Sequence, residues 1–174
     1  MQNENSIRQE NSLIAIYPGT FDPITYGHID LVKRSIKIVD RLIIAVSESV
    51  HKNPLFSLDE RIEMVKHEVK ELNLSKEINV IGFTGLLVDL AQQHNAKLLI
   101  RGIRAVSDFE YEFQMSCMNS RLNSEIETMF LPASEKTHFV ASKLIKEIVR
   151  LKGDVTNMAP LNVINKIKQK YIIT

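Results

Sequence analysis

The 174-residue sequence has little of several features that would identify a protein class at once. Its single cysteine, Cys117, excludes a disulfide framework and a cysteine-based metal site. The 22 basic and 21 acidic residues leave a net charge of +1, which argues against duplex nucleic acid as the main partner. No segment approaches ~18 consecutive apolar residues, and the polar N-terminus has no apolar signal-peptide core. We therefore expect a cytoplasmic protein without a membrane span.

The composition that remains, 44% hydrophobic and 25% charged residues, is typical of a globular domain. Five short apolar runs are predicted as buried strands, at residues 13–17, 41–46, 78–83, 97–100 and 127–131. Helical periodicity predicts six helices between and after them, starting near residues 27, 57, 85, 107, 142 and 160. Ser57 with Glu60, and Ser107 with Glu110, read as capping boxes at two of these starts.

This alternation predicts an α/β fold, a single-domain, Rossmann-like, five-stranded parallel sheet with helices on both faces. We expect residues 1–11 to be a disordered tail and residues 12–174 to form the domain. In such sheets ligands bind at the carboxyl ends of the strands. The loops that follow the five runs are therefore the places to look for a site.

Glycine and proline are scarce, with six and five copies, yet four of these residues stand in the stretch YPGTFDPITYGH, residues 17–28. The stretch follows the first strand and leads into the first helix, whose free N–H groups favour an anion. Neither GxxxxGK[ST] nor GxGxxG is present, so the common phosphate loops do not apply. The stretch is predicted as a different phosphate loop that ends in His28; alternatively it is only a turn with a histidine cap.

Cationic and hydroxyl side chains follow three other strands. Arg101 and Arg104 leave the fourth strand three residues apart, and guanidinium groups suit phosphate oxygens. Lys52 follows the second strand, and Thr137, Ser142 and Lys143 precede or open the fifth helix. These groups predict a site for a polyphosphate and a second anion; the alternative for the arginines is salt bridges to Asp108, Glu110 or Glu112.

The residues that carry this pattern resemble a known family. Thr25, Tyr26, Gly27 and His28 are similar to the T/HxGH signature of the nucleotidyltransferase superfamily. From about Leu13 onward the chain resembles the bacterial phosphopantetheine adenylyltransferases, and RGIRAVSDFEYE, residues 101–112, is the motif that selects this family. Residues 12–174 would then be a nucleotidyltransferase domain.

The resemblance implies transfer of the adenylyl group of ATP to 4′-phosphopantetheine, giving dephospho-coenzyme A and pyrophosphate. It implies direct in-line attack, with His28 as the catalytic residue and with Mg²⁺ carried mainly by the ATP phosphates, so no residue is assigned as a metal ligand. The phosphopantetheine-binding residues would be Thr20, Lys52, Leu87 and Arg101. The ATP-binding residues would be Thr20, Phe21, His28, Gly102, Ile103, Arg104, Glu112, Thr137, His138, Phe139, Val140, Ala141, Ser142 and Lys143.

The chain departs from the family pattern at Ala141 and Lys143, where the family usually has serines. Unless the Ser142 hydroxyl alone holds the triphosphate, backbone N–H groups at that helix start, or Lys143 itself, would take its place. The family further implies a homohexamer, while the balanced charge and the lack of a long apolar segment predict no nucleic acid or membrane as partner.

Three rival functions remain. A relative could transfer a nucleotide to another acceptor, such as nicotinamide mononucleotide or glycerol phosphate. A nucleotide-binding regulator could have lost catalysis, although the presence of His28, Lys52 and Arg101 speaks against it. A nucleic-acid-binding module is the weakest, because the charge is balanced and no aromatic platform motif is present.

Overall fold

The computed structural model describes residues 12–49 and 53–172. The predicted tail, residues 1–11, and Lys52 lie outside these ranges. The strands are β1 (Ile14–Gly19), β2 (Arg41–Ser47), β3 (Glu77–Phe83), β4 (Leu98–Ile103) and β5 (Glu127–Pro132). The helices are α1 (Tyr26–Ile38), α2 (Leu58–Glu71), α3 (Leu87–Gln93), α4 (Val106–Leu122), α5 (Ser142–Arg150) and α6 (Leu161–Ile172). The five strands and six helices follow the predicted order along the chain.

The strands form one parallel sheet in the order β3-β2-β1-β4-β5. The chain builds outward from β1 to β3 and then returns to place β4 on the other side of β1. The loops that leave β1 and β4 therefore diverge, and a crevice opens between them at the carboxyl ends. The predicted α/β sheet is confirmed, and β1 is its central strand.

Successive residues of the central strands point to opposite faces of the sheet, and each face has its own core. Ala15 and Tyr17 of β1 belong to the larger core, which α1, α2, α5 and α6 cover. Ile16, between them, belongs to the smaller core beneath α3. Both faces are apolar, which explains why the strands read as continuous hydrophobic runs rather than as alternating patterns.

The helix starts confirm one predicted cap and correct another. Ser57 caps α2 as predicted, since its hydroxyl accepts from the Glu60 N–H and the Glu60 carboxylate accepts from the Ser57 N–H. The capping box predicted at Ser107 is wrong. The N-cap of α4 is Ala105, two residues before Ser107, and no side chain caps the helix.

Helix α4 differs from the other long helices because none of its residues is buried. No helix in the described part of the chain is long and apolar enough to span a bilayer.

Candidate active site

A cavity of about 590 Å³ lies at the carboxyl ends of β1 and β4, where the strand order reverses. Its wall combines the loop after β1, the end of β4 and the start of α5. The predicted site residues that line it are Thr20, Phe21, His28, Arg101, Gly102, Arg104, Thr137, Val140, Ala141, Ser142 and Lys143. Residues from three strand exits, far apart in the sequence, thus meet in one crevice.

Gly102 lets two walls of this cavity approach each other. A Cβ atom at this position would come within 2.4 Å of Leu31 Cδ1 on α1, so Leu31 would have to move. Leu31 and Gly102 both line the cavity. A side chain at residue 102 would therefore change the packing between α1 and the end of β4.

His28 is fixed by the start of its own helix. Thr25 is the N-cap of α1, and its backbone N–H donates to His28 Nδ1 at 3.0 Å. The Thr25 hydroxyl accepts from the His28 N–H at 3.4 Å, which completes a capping box. Because Nδ1 accepts a hydrogen bond, the neutral ring carries its proton on Nε2. His28 can therefore cap the helix and still offer one N–H donor to a ligand.

Burial, together with the nearby positive charge of Arg104, lowers the pKa of His28 to about 4. The ring is consequently neutral near pH 7 when no anion is bound. The Phe21 ring packs against it with a centroid separation of 4.9 Å. Burial also raises the pKa of the Tyr17 phenol beside the cavity, so that this group stays neutral.

Both arginines of the site have carboxylate partners on α4. Arg101 binds Glu112 through two bonds, from Nε at 2.6 Å and from Nη2 at 2.5 Å, and its Nη1 donates to the Pro18 carbonyl at 2.9 Å. Arg104 pairs with Asp108 at 3.1 Å. The salt-bridge alternative for these arginines is thus realised for both, while both side chains also line the cavity.

The start of α5 presents backbone donors rather than side-chain hydroxyls. Ala141 is the N-cap, it supplies no side-chain cap, and its carbonyl accepts from the Ile145 N–H. The N–H groups of residues 142–144 precede that bond and have no partner within the helix. The Ser142 hydroxyl donates to the Pro23 carbonyl at 2.7 Å, and Lys143 is exposed.

The sequence analysis missed a partly buried ion pair in the cavity wall. Asp22, 6% exposed, forms a short ion pair with Lys146 and also accepts from the N–H groups of Leu55 and Phe56, each at 3.0 Å. The signal for Lys146 was its spacing: it lies four residues after Ser142, and this places the two on the same side of α5. Asp22 stood in the stretch of residues 17–28, but no local pattern revealed its partners.

Among the predicted site residues that the structure describes, five lie outside the cavity lining. Leu87 begins α3 and packs against the smaller core, and Ile103 ends β4 beside Pro132. Glu112 reaches the site through Arg101. His138 donates to the Glu135 carbonyl and packs edge-on against the exposed Phe139.

Comparison with known proteins identifies the family to which this chain belongs. Residues 16–148 match the family model described as cytidylyltransferase-like. A phosphopantetheine adenylyltransferase from Wolbachia pipientis subsp. Culex pipiens is 55% identical over 150 residues, which cover 86% of this chain and 88% of the relative. The enzyme of the same name from Rhodospirillum rubrum is 49% identical over 159 residues, 91% of this chain and 92% of the relative.

Solved structures share the fold at low identity. A Vibrio parahaemolyticus protein described as a nicotinate-nucleotide adenylyltransferase superposes with a TM-score of 0.68 at 16% identity, covering 90% of this chain and 98% of that one. A lipopolysaccharide core biosynthesis protein from Thermoplasma volcanium gives 0.51 at 21% identity, covering 71% and 98%. The family follows from the far more similar relatives: the chain belongs to the phosphopantetheine adenylyltransferases, within the cytidylyltransferase-like nucleotidyltransferases.

Proposed function

We propose that this protein transfers the adenylyl group of ATP to 4′-phosphopantetheine, giving dephospho-coenzyme A and pyrophosphate in coenzyme A biosynthesis. The observation that carries the proposal is the identity of 46–55% to relatives named for this activity over most of the chain. The cavity between β1 and β4 supports it, because cationic side chains and free helix N–H groups surround His28 there. Residues 12–174 would act as one nucleotidyltransferase domain.

The proposed reaction is a single in-line displacement. An oxygen of the acceptor phosphate forms a bond to the α-phosphorus of ATP while the bond from that phosphorus to the pyrophosphate oxygen breaks. The attacking phosphate is already anionic, so no general base has to remove a proton. The protein's task is to hold two anions in line and to offset the charge on the transferring phosphorus.

In this proposal His28 Nε2–H donates to the α-phosphate as its charge redistributes in the transition state. The Thr25 N–H bond on Nδ1 fixes the ring orientation and tautomer, so the donor is oriented before the substrate binds. The bound polyphosphate would raise the pKa of His28 above its value of about 4 in the free protein. His28 therefore acts as the catalytic residue through a hydrogen bond rather than as a base.

The acceptor phosphate is proposed to bind Thr20 and Arg101, together with Lys52, while Leu87 would line the path of the pantetheine arm. Arg101 has five N–H donors, and Glu112 and Pro18 use three of them. It can therefore reach an anion without releasing Glu112. The carboxylate then serves to hold the guanidinium in place.

ATP is proposed to bind across the end of β4 and the start of α5. Phe21, Gly102, Ile103, Arg104 and Glu112 would contact the nucleotide, and residues 137–143 would hold its phosphates. The free N–H groups at the start of α5 suit phosphate oxygens, and the Ser142 hydroxyl is already bonded to Pro23. We assign the triphosphate mainly to those backbone groups, with Lys143 as a solvated charge.

Mg²⁺ is proposed to arrive with ATP and to offset part of the phosphate charge. Within residues 12–49 and 53–172 no group of three or more histidine, cysteine, aspartate or glutamate side chains could hold a metal ion. The carboxylate in the cavity wall, Asp22, is occupied by Lys146 and two backbone N–H groups. This donor set fits an ion held mainly by the nucleotide phosphates.

We also propose a cytoplasmic homohexamer without nucleic-acid or membrane partners. Helix α4 supports an assembly, because it buries none of its own residues and exposes Val106, Tyr111, Phe113 and Met118. An apolar surface of this kind is typical of subunit contacts. Analytical ultracentrifugation should give the mass of six chains, whereas the mass of a monomer would exclude the assembly.

Pyrophosphate release with a panel of acceptors tests the function. With ATP and Mg²⁺ we expect release with 4′-phosphopantetheine and none with unphosphorylated pantetheine, which lacks the nucleophile and the anion for Arg101. Faster release with nicotinamide mononucleotide, or with CTP and glycerol phosphate, would assign the chain to another acceptor.

A further inference from the structure

Arg61 is a buried cation that the reaction scheme above does not use. It lies on α2 and is 1% exposed. Its guanidinium makes no salt bridge among the described residues, and all its hydrogen bonds go to backbone carbonyl groups. Burying a charge is costly unless its donors are fully used. The positions of the acceptor carbonyls show what this arrangement achieves.

Those carbonyls belong to two loops beside the cavity and to the residues just before α2. Nη1 donates to Thr20 O at 2.7 Å and to Ser47 O at 2.6 Å, and Nη2 donates to Glu48 O at 3.1 Å. Nε donates to Phe56 O at 3.1 Å and to Ser57 O at 3.3 Å. One side chain thus joins the exit of β1, the exit of β2 and the start of its own helix.

Two of the residues whose carbonyl groups accept from Arg61 are each followed directly by a strained residue. Phe21 has φ 49° and Ser49 has φ 51°, and both are non-glycine residues in the left-handed region. Arg61 binds the carbonyl of the residue before each, Thr20 and Glu48. Such backbone conformations persist only where the surroundings hold them, and they concentrate at functional sites. Arg61 is placed to hold both.

The two strained residues control groups that face the cavity. The Phe21 ring packs against the His28 ring with centroids 4.9 Å apart. The Ser49 hydroxyl lies 3.2 Å from the Thr20 hydroxyl and 2.5 Å from the Ser47 hydroxyl. Thr20 is consequently held at its carbonyl by Arg61 and at its hydroxyl by Ser49. A shift of either loop would move Thr20 or the packing of His28.

We propose that Arg61 is a positioning residue for the adenylyl transfer. From beneath the cavity it fixes the exits of β1 and β2 in strained conformations, and these set the positions of Thr20 and His28. Its planar array of donors is the feature that matters, because a lysine would keep the charge but could not reach carbonyls in three segments. The expected effect of Arg61 on the reaction rate rests on the proposed function. Its expected effect on the structure of the two loops does not.

The kinetic test compares Arg61→Lys with Met64→Ala. Met64 is also 1% exposed and lies three residues along the same helix, so its truncation destabilises the core but leaves the hydrogen bonds of Arg61 to both loops in place. Both variants are assayed well below their melting temperatures. Arg61→Lys should lower kcat/KM for 4′-phosphopantetheine by roughly 10- to 100-fold, since about 1 Å of misplacement can cost ~10²-fold. Met64→Ala should change it by less than about twofold. An equal loss of kcat/KM in the two variants would show that Arg61 only stabilises the core.

Amide hydrogen exchange provides a readout that needs no acceptor. Arg61→Lys should lose protection at residues 20–21 and 48–49 while the amides of β1 and β2 stay protected, and Met64→Ala should not show this local pattern. Unchanged exchange in both loops would overturn the inference. If the wild-type protein fails to adenylylate 4′-phosphopantetheine, the proposed function is wrong. The hydrogen-exchange comparison still shows whether Arg61 holds the two loops.

Ser49→Ala provides a second test in case the Arg61→Lys variant does not fold. It keeps Arg61 and removes the hydroxyl that holds the Thr20 side chain. We expect a KM for 4′-phosphopantetheine raised roughly threefold, which corresponds to the loss of one modest hydrogen bond. A wild-type KM for 4′-phosphopantetheine would contradict the account.

Discussion

His28 uses its two ring nitrogens for different purposes. Nδ1 accepts from the Thr25 N–H and so belongs to the cap of α1, while Nε2 carries the proton that can reach a ligand. The sequence offered a helix cap and a catalytic histidine as alternatives. The structure makes them compatible, so removal of the side chain alone cannot separate the two roles.

The substitution pair His28→Ala and His28→Gln separates the cap from catalysis. A glutamine at this position, three residues after the threonine N-cap, can complete the capping box without an imidazole. If the ring donates to the transition state, both variants should lose roughly 10²–10³-fold in kcat, the usual loss for one such donor. Steady-state kinetics and the melting temperature of each variant are measured together. A His28→Gln variant with kcat within about threefold of wild type would leave His28 with only its capping role.

The low pKa of His28 also predicts how stability depends on pH. The folded value is about 4, against 6.5 for an unperturbed histidine. Between these values the unfolded chain binds more protons than the folded one, so the free energy of unfolding should fall as the pH drops from about 6.5 toward 4. Urea denaturation of wild type and His28→Gln from about pH 7.5 to 4.5 measures it, and wild type should show the steeper fall. Parallel curves would mean that His28 titrates normally.

At the scale of the element, the two ends of α5 differ in what they do. Its start lines the cavity with N–H groups and lacks a side-chain cap. Its end is closed by bonds from Lys152 N–H to Val149 O at 2.9 Å and from Gly153 N–H to Ile148 O at 2.8 Å. The first end is available to a ligand, whereas the second end only stabilises the helix.

Ser142→Pro tests the backbone assignment for the triphosphate. Ser142 is the first residue of α5, a position that proline favours, and the preceding Ala141 is extended, as a residue before proline prefers to be. The helix should therefore form, and the change removes one N–H donor together with the hydroxyl. We expect the KM for ATP to rise about tenfold or more over that of Ser142→Ala, which removes only the hydroxyl. Equal KM values in the two variants would exclude this N–H as a phosphate donor.

Lys143→Ser complements that pair. An exposed charge contributes little and is screened by salt, so the KM for ATP should change by less than about tenfold and the difference should shrink at high salt.

The far end of α5 predicts a stabilising substitution. Lys152 has φ 60°, in the left-handed region where a helix usually ends with glycine. Lys152→Gly should raise the free energy of unfolding by about 0.5–1 kcal/mol, because glycine adopts this conformation without strain. Urea denaturation measures it, with Lys166→Gly inside α6 as a control that should lose about 1 kcal/mol. A loss at Lys152→Gly would show that the lysine side chain matters more than the backbone.

For the whole molecule, the sequence predicted the strands, the helices and the shared edge of the sheet, because these depend on local periodicity and on the rule for parallel sheets. It did not predict which strands are neighbours, and the crevice between β1 and β4 depends on that order. Glu112 was among the partners that the sequence suggested for the arginines, but no pattern suggested that Asp22 pairs with Lys146, which lies 124 residues away along the chain. Long-range pairs of this kind are set by packing, which no local pattern encodes.

The cap of α4 illustrates the same limit at short range. Ser107 and Glu110 have the spacing of a capping box, yet α4 starts at Val106 and Asp108 is used by Arg104. Asp108 accepts from the Arg104 backbone N–H and from its guanidinium. The side chain that bonds beside the start of α4 is therefore Asp108, and the spacing of Ser107 and Glu110 does not set where the helix begins.

In the proposed reaction the adenylyl group passes directly from ATP to the acceptor phosphate in this cavity. The stereochemistry at the α-phosphorus tests it most directly, with one diastereomer of the α-thio analogue of ATP as donor and 4′-phosphopantetheine as acceptor. A single in-line displacement predicts product with inverted configuration at that phosphorus. Retention would require two displacements and a covalent adenylyl-enzyme, and would contradict the mechanism.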